Sequence, residues 1–258
     1  MWCSNCLCSF LQDTFLNLQN EEEDKVMVKN ILSYSFAGLV ALSTAGTASA
    51  TLLDFTPSNL SVTGGNTYDS VGMTVDGIAV SVSAYTIEND GNGNISSSSQ
   101  ITGTGIGVYV SDSNNMGVES HPSSSVDSHS MDGGSSTSTS DPDEGLLFSF
   151  NQVVSLSYIN FDSFGGSDDF NLTVDGILKL VDFDGGSTSQ FASQVTGEPD
   201  EFNFSDISGT EFLFWADSDS DKFRIDRMTV HAIPEPTTLL LFGVGLIGLC
   251  LVRRKVIR

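Results

Sequence analysis

Residues 71–85 read VGMTVDGIAVSVSAY, and this stretch decides the fold class. On either side of Asp76-Gly77, apolar positions alternate with small or polar ones. Alternation with a period of two sends successive side chains to opposite faces of a strand. Asp-Gly accepts the positive φ angles of a tight two-residue turn. The stretch therefore predicts a β-hairpin. Nearly the same words return at Phe170 to Val181, where Thr173-Val174-Asp175-Gly176-Ile177 repeats Thr74-Val75-Asp76-Gly77-Ile78. Convergence on a favourable turn is enough to explain the recurrence, without an internal repeat.

Working outward, strand-like runs recur between Gly, Ser, Asn and Asp turns. Gly103 to Val110 places Ile106, Val108 and Val110 on one face, and Asn89 to Asn94 reads as a loop. Leu146 to Phe150 and Val153 to Phe161 have the branched and aromatic content of core strands. Glu201 to Phe204, Glu211 to Ala216 and Phe223 to Val230 complete the set. In the last of these, Phe223, Ile225, Met228 and Val230 face inward if the register changes near Arg227. About ten to twelve short strands predict an antiparallel β-sandwich, jelly-roll-like, over residues 51–233. Within it, Ser111 to Gly145 holds twelve serines and no sustained apolar pattern. That composition predicts a long mobile loop.

The two ends of the chain read differently from this body. Met27-Val28-Lys29 forms a positive n-region, Ile31 to Leu42 an apolar h-region, and Ala48-Ser49-Ala50 a small-residue cleavage pattern. Residues 27–50 are thus expected to be a signal peptide cut after Ala50. Residues 1–26 carry Cys3, Cys6, Cys8 and the acidic run Glu21 to Asp24, the wrong charge for an n-region. We read them as a misplaced start, with translation beginning at Met27. Cys3-x-x-Cys6-x-Cys8 has no second pair to complete a tetrahedral zinc site. At the other end, Pro234-Glu235-Pro236 precedes an uncharged apolar run from Thr237 to Val252, followed by Arg253-Arg254-Lys255. Sixteen residues are at the short end of what crosses a bilayer as a single transmembrane helix, and the basic cluster marks its cytoplasmic side.

Pro234, Glu235 and Pro236, the Leu/Gly-rich run and the Arg253-Arg254 end together resemble the PEP-CTERM sorting signal of Gram-negative bacteria. The resemblance covers about the last 26 residues. It implies recognition by an exosortase, a membrane-embedded cysteine transpeptidase-like enzyme, after transient anchoring in the inner membrane. It further implies removal of the helix and delivery to the cell surface or an extracellular exopolysaccharide matrix, in a biofilm setting.

The body between these labels has no cysteine, which excludes a disulfide framework and cysteine nucleophiles. It holds 27 Asp and Glu against Lys179, Lys222, Arg224 and Arg227. Such a surface repels nucleic acid, whose binding rests on basic side chains. It suits hard cations, or simply solubility by self-repulsion. Asp217, Asp219 and Asp221 stand at alternate positions between two strands, as at the start of a calcium loop, and Asp168, Asp169 or Asp141 are candidate further ligands for Ca2+. Position six is Lys222 and position twelve Met228, so the stretch is not an EF-hand; the alternative is a charged turn. His121 and His129, with Asp127, Asp132, Asp141, Asp143 and Glu144, form a looser set in the serine-rich tract. No nucleophile elbow, HExxH or phosphate loop occurs, so no catalytic residue is assigned and no enzyme is expected. The expected role is a structural or adhesive surface protein; the alternative is a calcium-dependent carbohydrate-binding module using Trp215 or Tyr109 against sugar rings.

Overall fold

The computed structural model describes residues 49–89, 94–120, 129–133, 142–186, 189–218 and 220–233. The readings of residues 1–26, of the signal peptide up to Ala48 and of the sorting segment 234–258 lie outside the described residues. Among the described residues no helix is long and apolar enough to cross a membrane.

Both Asp-Gly turns form as expected. Asp76 and Gly77 have φ of 52° and 82°, and Asp175 and Gly176 have 48° and 75°, the double positive φ of a type I′ turn. The first joins β3 (Ser70–Val75) to β4 (Ile78–Asn89), the second β10 (Phe170–Val174) to β11 (Ile177–Phe183). Between these hairpins lie two much longer strands, β9 (Asp143–Asp162) and β13 (Glu198–Trp215). Each merges two runs that the sequence reads as separate. The merger is possible because the β13 to β9 register slips between Asn203 and Ile207 and again between Gly209 and Glu211. Such irregularities bend a strand without ending it. The local order is then β3, β4, β9, β13, β10, β11, with one Asp-Gly hairpin on each side of the central pair.

Among the described residues the remaining strands are β1 (Ala50–Asp54), β2 (Asn66–Tyr68), β5 (Ile95–Gln100), β6 (Gly107–Val110), β7 (Met116–Glu119), β8 (Met131–Asp132), β12 (Ala192–Val195) and β14 (Lys222–Ala232), with one short helix, α1 (Pro57–Leu60). Every pairing is antiparallel, and hydrogen bonds link the fourteen strands into one network. The described residues are therefore nearly all-β, with more strands, and some far longer, than the pattern predicts. β7, β8 and the start of β9 arise inside the serine-rich tract. Met116, Val118 and Met131 are fully buried there, and these three apolar side chains order pieces of a segment that as a whole has no pattern.

β14 ties the network together. It pairs with β9 on one side and β1 on the other, and its first residues reach β7 and β8. Phe223, Ile225, Met228 and Val230 are buried, and the register slips between Ile225 and Arg227, as the spacing of these four requires. The core is rich in phenylalanine. Phe161 of β9 has ring centroids 4.9 Å from Phe170, 5.7 Å from Phe202, 6.1 Å from Phe214 and 5.1 Å from Phe223. Rings at these separations and tilted angles give edge-to-face contacts beyond their apolar burial.

Trp215 corrects an expectation. Alternation sets Trp215 and Leu213 opposite Phe212 and Phe214, as the structure has them, but both faces are buried, so Trp215 is not the exposed aromatic that the carbohydrate-binding reading needs. Phe212 and Phe214 enter the main core, whereas Trp215 packs with Ile87 and Leu213 on the other face, against Tyr85, Ile95 and Leu147. The end of β4 and the start of β5 cover that second face. A fully buried indole cannot serve as a sugar platform.

Candidate functional site: an acidic cluster at three strand ends

The segment Ser163 to Asp169 and the segment Ala216 to Asp221 meet where β10 begins and β13 ends. Two carboxylates hold them together through backbone amides. Asp221, with no exposed surface, accepts from the Asp169 N–H at 3.1 Å and from the Ser218 N–H at 3.2 Å. Asp168 accepts from the Gly165 N–H and, at 3.4 Å, from the Lys222 N–H. The first segment thus donates to Asp221 of the second, and the first residue of β14 donates back to Asp168. A carboxylate that satisfies two otherwise unpaired amides fixes loop geometry at the cost of its own desolvation.

This clamp sets Asp169 and Asp217. A third carboxylate comes from β11, where Val181 and Asp182 together face Asn171 and the register slips. Asn171 has no exposed surface, and its Oδ1 accepts from the Asp182 N–H at 3.2 Å. The side-chain amide thereby takes over the backbone group that the bulge frees, and a bulge re-aims the residue it carries. The result is that Asp169, Asp182 and Asp217 each bring one carboxylate oxygen within 4.8 Å of the others. Asp169 and Asp217 are half-buried and Asp182 is exposed. Among the described residues, no Lys or Arg side chain is ion-paired with any of the three.

The electrostatics follow from this geometry. Burial, followed by the charges of Asp182 and Asp217, lifts Asp169 to about 6. Burial and then the Asp169 charge lift Asp221 to about 7. Asp217 is raised by burial and by Asp182, while the Asn171 side chain beside it acts in the opposite sense. Desolvation and like-charge repulsion both favour the neutral acid.

Of the sequence-predicted loop set, Asp217 belongs to this cluster, Asp221 is turned to the backbone, and Asp219 lies outside the described residues. Asp169, a candidate further ligand, joins the cluster; Asp168 is part of the clamp. Asp182 was missed, because nothing in Leu180-Val181-Asp182-Phe183 marks a bulge. The looser set is dispersed. His129 Nε2 lies 2.8 Å from Glu119 Oε2, and its ring centroid is 4.2 Å from that of Tyr109. The Asp132 N–H donates to Glu144 at 3.5 Å, and Asn89 donates to Asp143 at 2.7 Å. His121, Asp127 and Asp141 lie outside the described residues. Away from the cluster, Tyr85, Ile95, Leu147, Leu178, Asp175 and Glu211 line an open groove of about 590 Å3.

Comparison with known proteins adds one finding: the PEP-CTERM protein-sorting motif matches residues 232–255. The match begins at the last residue of β14 and takes in Pro234, Glu235, Pro236, Arg253 and Arg254. The chain therefore carries a PEP-CTERM sorting domain, and that motif implies processing by an exosortase and export to the cell surface or envelope. No curated protein and no solved structure matches the chain.

Proposed function

We propose that this chain is an exported protein whose β-domain plays a structural or adhesive part at the cell surface or in an extracellular, exopolysaccharide-containing matrix. The observation that carries the reading is the sorting motif set directly after the last strand. The domain itself is read as a jelly-roll-like sandwich of residues 51–233, released by cleavage after Ala50 and anchored transiently by the apolar run 237–252. Its role is non-enzymatic. A domain with 27 Asp and Glu, most of them not buried, against four Lys and Arg is kept soluble at high local concentration by self-repulsion, which opposes aggregation.

A calcium-dependent carbohydrate-binding role is the second reading, favoured by the 590 Å3 groove, in which Tyr85 offers an aromatic ring and Asp175 and Glu211 offer acceptors. Tyr109 has its ring packed at a tilt against His129 rather than in this groove. The test of the main reading is fractionation of cells making a tagged chain in which Pro234, Glu235 and Pro236 are replaced by alanine. Loss of processing and retention in the inner membrane supports exosortase-dependent sorting; unchanged release would sink it. Matrix retention of the processed wild type, and loss of cell cohesion in its absence, tests the structural role.

A further inference from the structure

We propose that the open groove lined by Tyr85 and Glu211 binds an uncharged glycan chain directly, with no metal ion between protein and sugar. This rests on the carbohydrate half of the second reading and departs from its calcium half. The floor of the groove is a single cross-strand row. Leu147 of β9 pairs with Leu213 of β13, Leu213 with Thr173 of β10, and Thr173 with Leu178 of β11. Cross-strand partners project from the same face of a sheet, and all four line the groove. Neighbouring strands lie about 4.8 Å apart, so the row crosses the strands for about 14 Å. A floor of that shape suits an extended chain lying across the sheet.

The second observation is Thr173. It is 7% exposed, stands between two leucines of the floor row, and its Oγ1 is buried without a hydrogen-bond partner. A native fold rarely leaves a buried hydroxyl unpaired, because its desolvation is then uncompensated. A sugar hydroxyl seated on the floor both donates and accepts, and so supplies that partner. From the β4 and β5 side, Tyr85 and Ile95 add an aromatic ring and an apolar wall for the C–H face of a sugar ring.

The class of glycan follows from charge. Asp175 and Glu211 line the groove, and no Lys or Arg does. Lys179, next to Leu178, lies instead over the Phe191 ring, 5.7 Å from its centroid. Two carboxylates without a basic partner accept from sugar hydroxyls and repel uronates, sulfates and phosphates. An ammonium group would have to shed its water over a floor of three leucines, which favours an uncharged chain over a cationic one. Calcium takes roughly 6–8 oxygen ligands. The groove offers two carboxylates, and Asp175 Oδ1 is already committed to the Thr210 and Glu211 amides at 2.9 Å each. The contact with sugar is therefore direct.

The experiment is isothermal titration calorimetry of the full chain, in chelator and in a mild detergent without a sugar head group. The probes are cellohexaose, xylohexaose and mannohexaose as uncharged chains, a galacturonate hexamer as an anionic one and a glucosamine hexamer as a cationic one. Saturable binding of an uncharged hexaose, weakened about tenfold or more in Glu211→Gln and Thr173→Val and unchanged in Asp76→Asn, supports the proposal. Thr173→Val should leave the melting point level or raised, since it deletes an unpaired hydroxyl, so binding lost there is not folding lost. If that variant nonetheless fails to fold, Glu211→Gln, at an exposed position, decides. Affinity unchanged in both variants overturns the site. Binding that needs added calcium overturns the direct contact and leaves the calcium-dependent reading standing. Preference for either charged hexamer overturns the uncharged class, and binding of no probe overturns the proposal and the carbohydrate reading together. Export is decided separately, by the fractionation.

Discussion

Asp221 shows how one residue's environment settles its role. At alternate spacing with Asp217 and Asp219 it reads as a ligand, yet its two oxygens face the amides of Asp169 and Ser218. Such a carboxylate gives a testable pH dependence. Asp169 and Asp221 hold protons up to about 6 and about 7, whereas the ordinary value is 3.8. Between those values the folded state binds more protons than the unfolded one, so stability falls as pH rises, and the loss is complete above about 7. In chelator, the melting point of the wild type should therefore decline across this window. Asp169→Asn removes one of the two facing charges and should flatten the decline. Parallel slopes for wild type and variant would show that the pair does not titrate there. Part of this was legible: the sequence reading sets Asp168 and Asp169 beside the Asp217 to Asp221 stretch although Asp169 and Asp221 are 52 positions apart, whereas Asp182 enters the cluster only because a bulge turns it there.

At the scale of the element, the two hairpins were legible because everything that makes them is local. Alternation sets the faces, and Asp-Gly sets the turn. What the words could not tell is that the two turns dock differently. Asp76 receives a single hydrogen bond, from Thr51 Oγ1 at 3.4 Å. Asp175 Oδ1 accepts from the Thr210 N–H at 2.9 Å, the Thr210 hydroxyl at 3.1 Å and the Glu211 N–H at 2.9 Å, just where β13 slips register. Gly209 must be glycine there, since a Cβ would meet Val174 Cγ1 at 2.5 Å. Asp175→Ala should accordingly destabilise the fold by about 0.5–1.5 kcal/mol, by removing a carboxylate that ties the bend of β13 to the turn through three exposed hydrogen bonds, and Asp76→Ala by clearly less. Denaturant unfolding of both variants checks this, and equal losses would mean that the bend in β13 does not depend on Asp175. The long strands were illegible for a related reason. A run that bends keeps its hydrogen bonds through a bulge, and composition at the bend looks like a loop. Trp215 was misread because the second face of β13 is covered by residues from β4 and β5, more than a hundred positions earlier.

For the whole molecule, order of synthesis and order of strands pull against each other. β14 is the last strand made, yet it stands between β9 and β1 and reaches β7 and β8. Most of its partners precede it by more than sixty residues, and non-local pairing of this kind makes folding wait for the late segment. Ala50 pairs with His231, so the expected cleavage site and the entry to the sorting motif lie side by side at one end of the β1 to β14 ladder. The body can close only once residues 222–232 have been delivered, and the motif matched at 232–255 follows at once. Two truncations test this dependence, each exported behind the chain's own front segment. A chain ending at Ile233 should give a protease-resistant body with a cooperative melt. A chain ending at Trp215 loses Phe223, Ile225, Met228 and Val230 from the core and leaves the edges of β1 and β9 bare. It should be degraded under the same protease and show no cooperative melt. If the shorter chain resisted as well as the longer, the core would not need β14, and closure of the body would be independent of the arrival of the sorting signal.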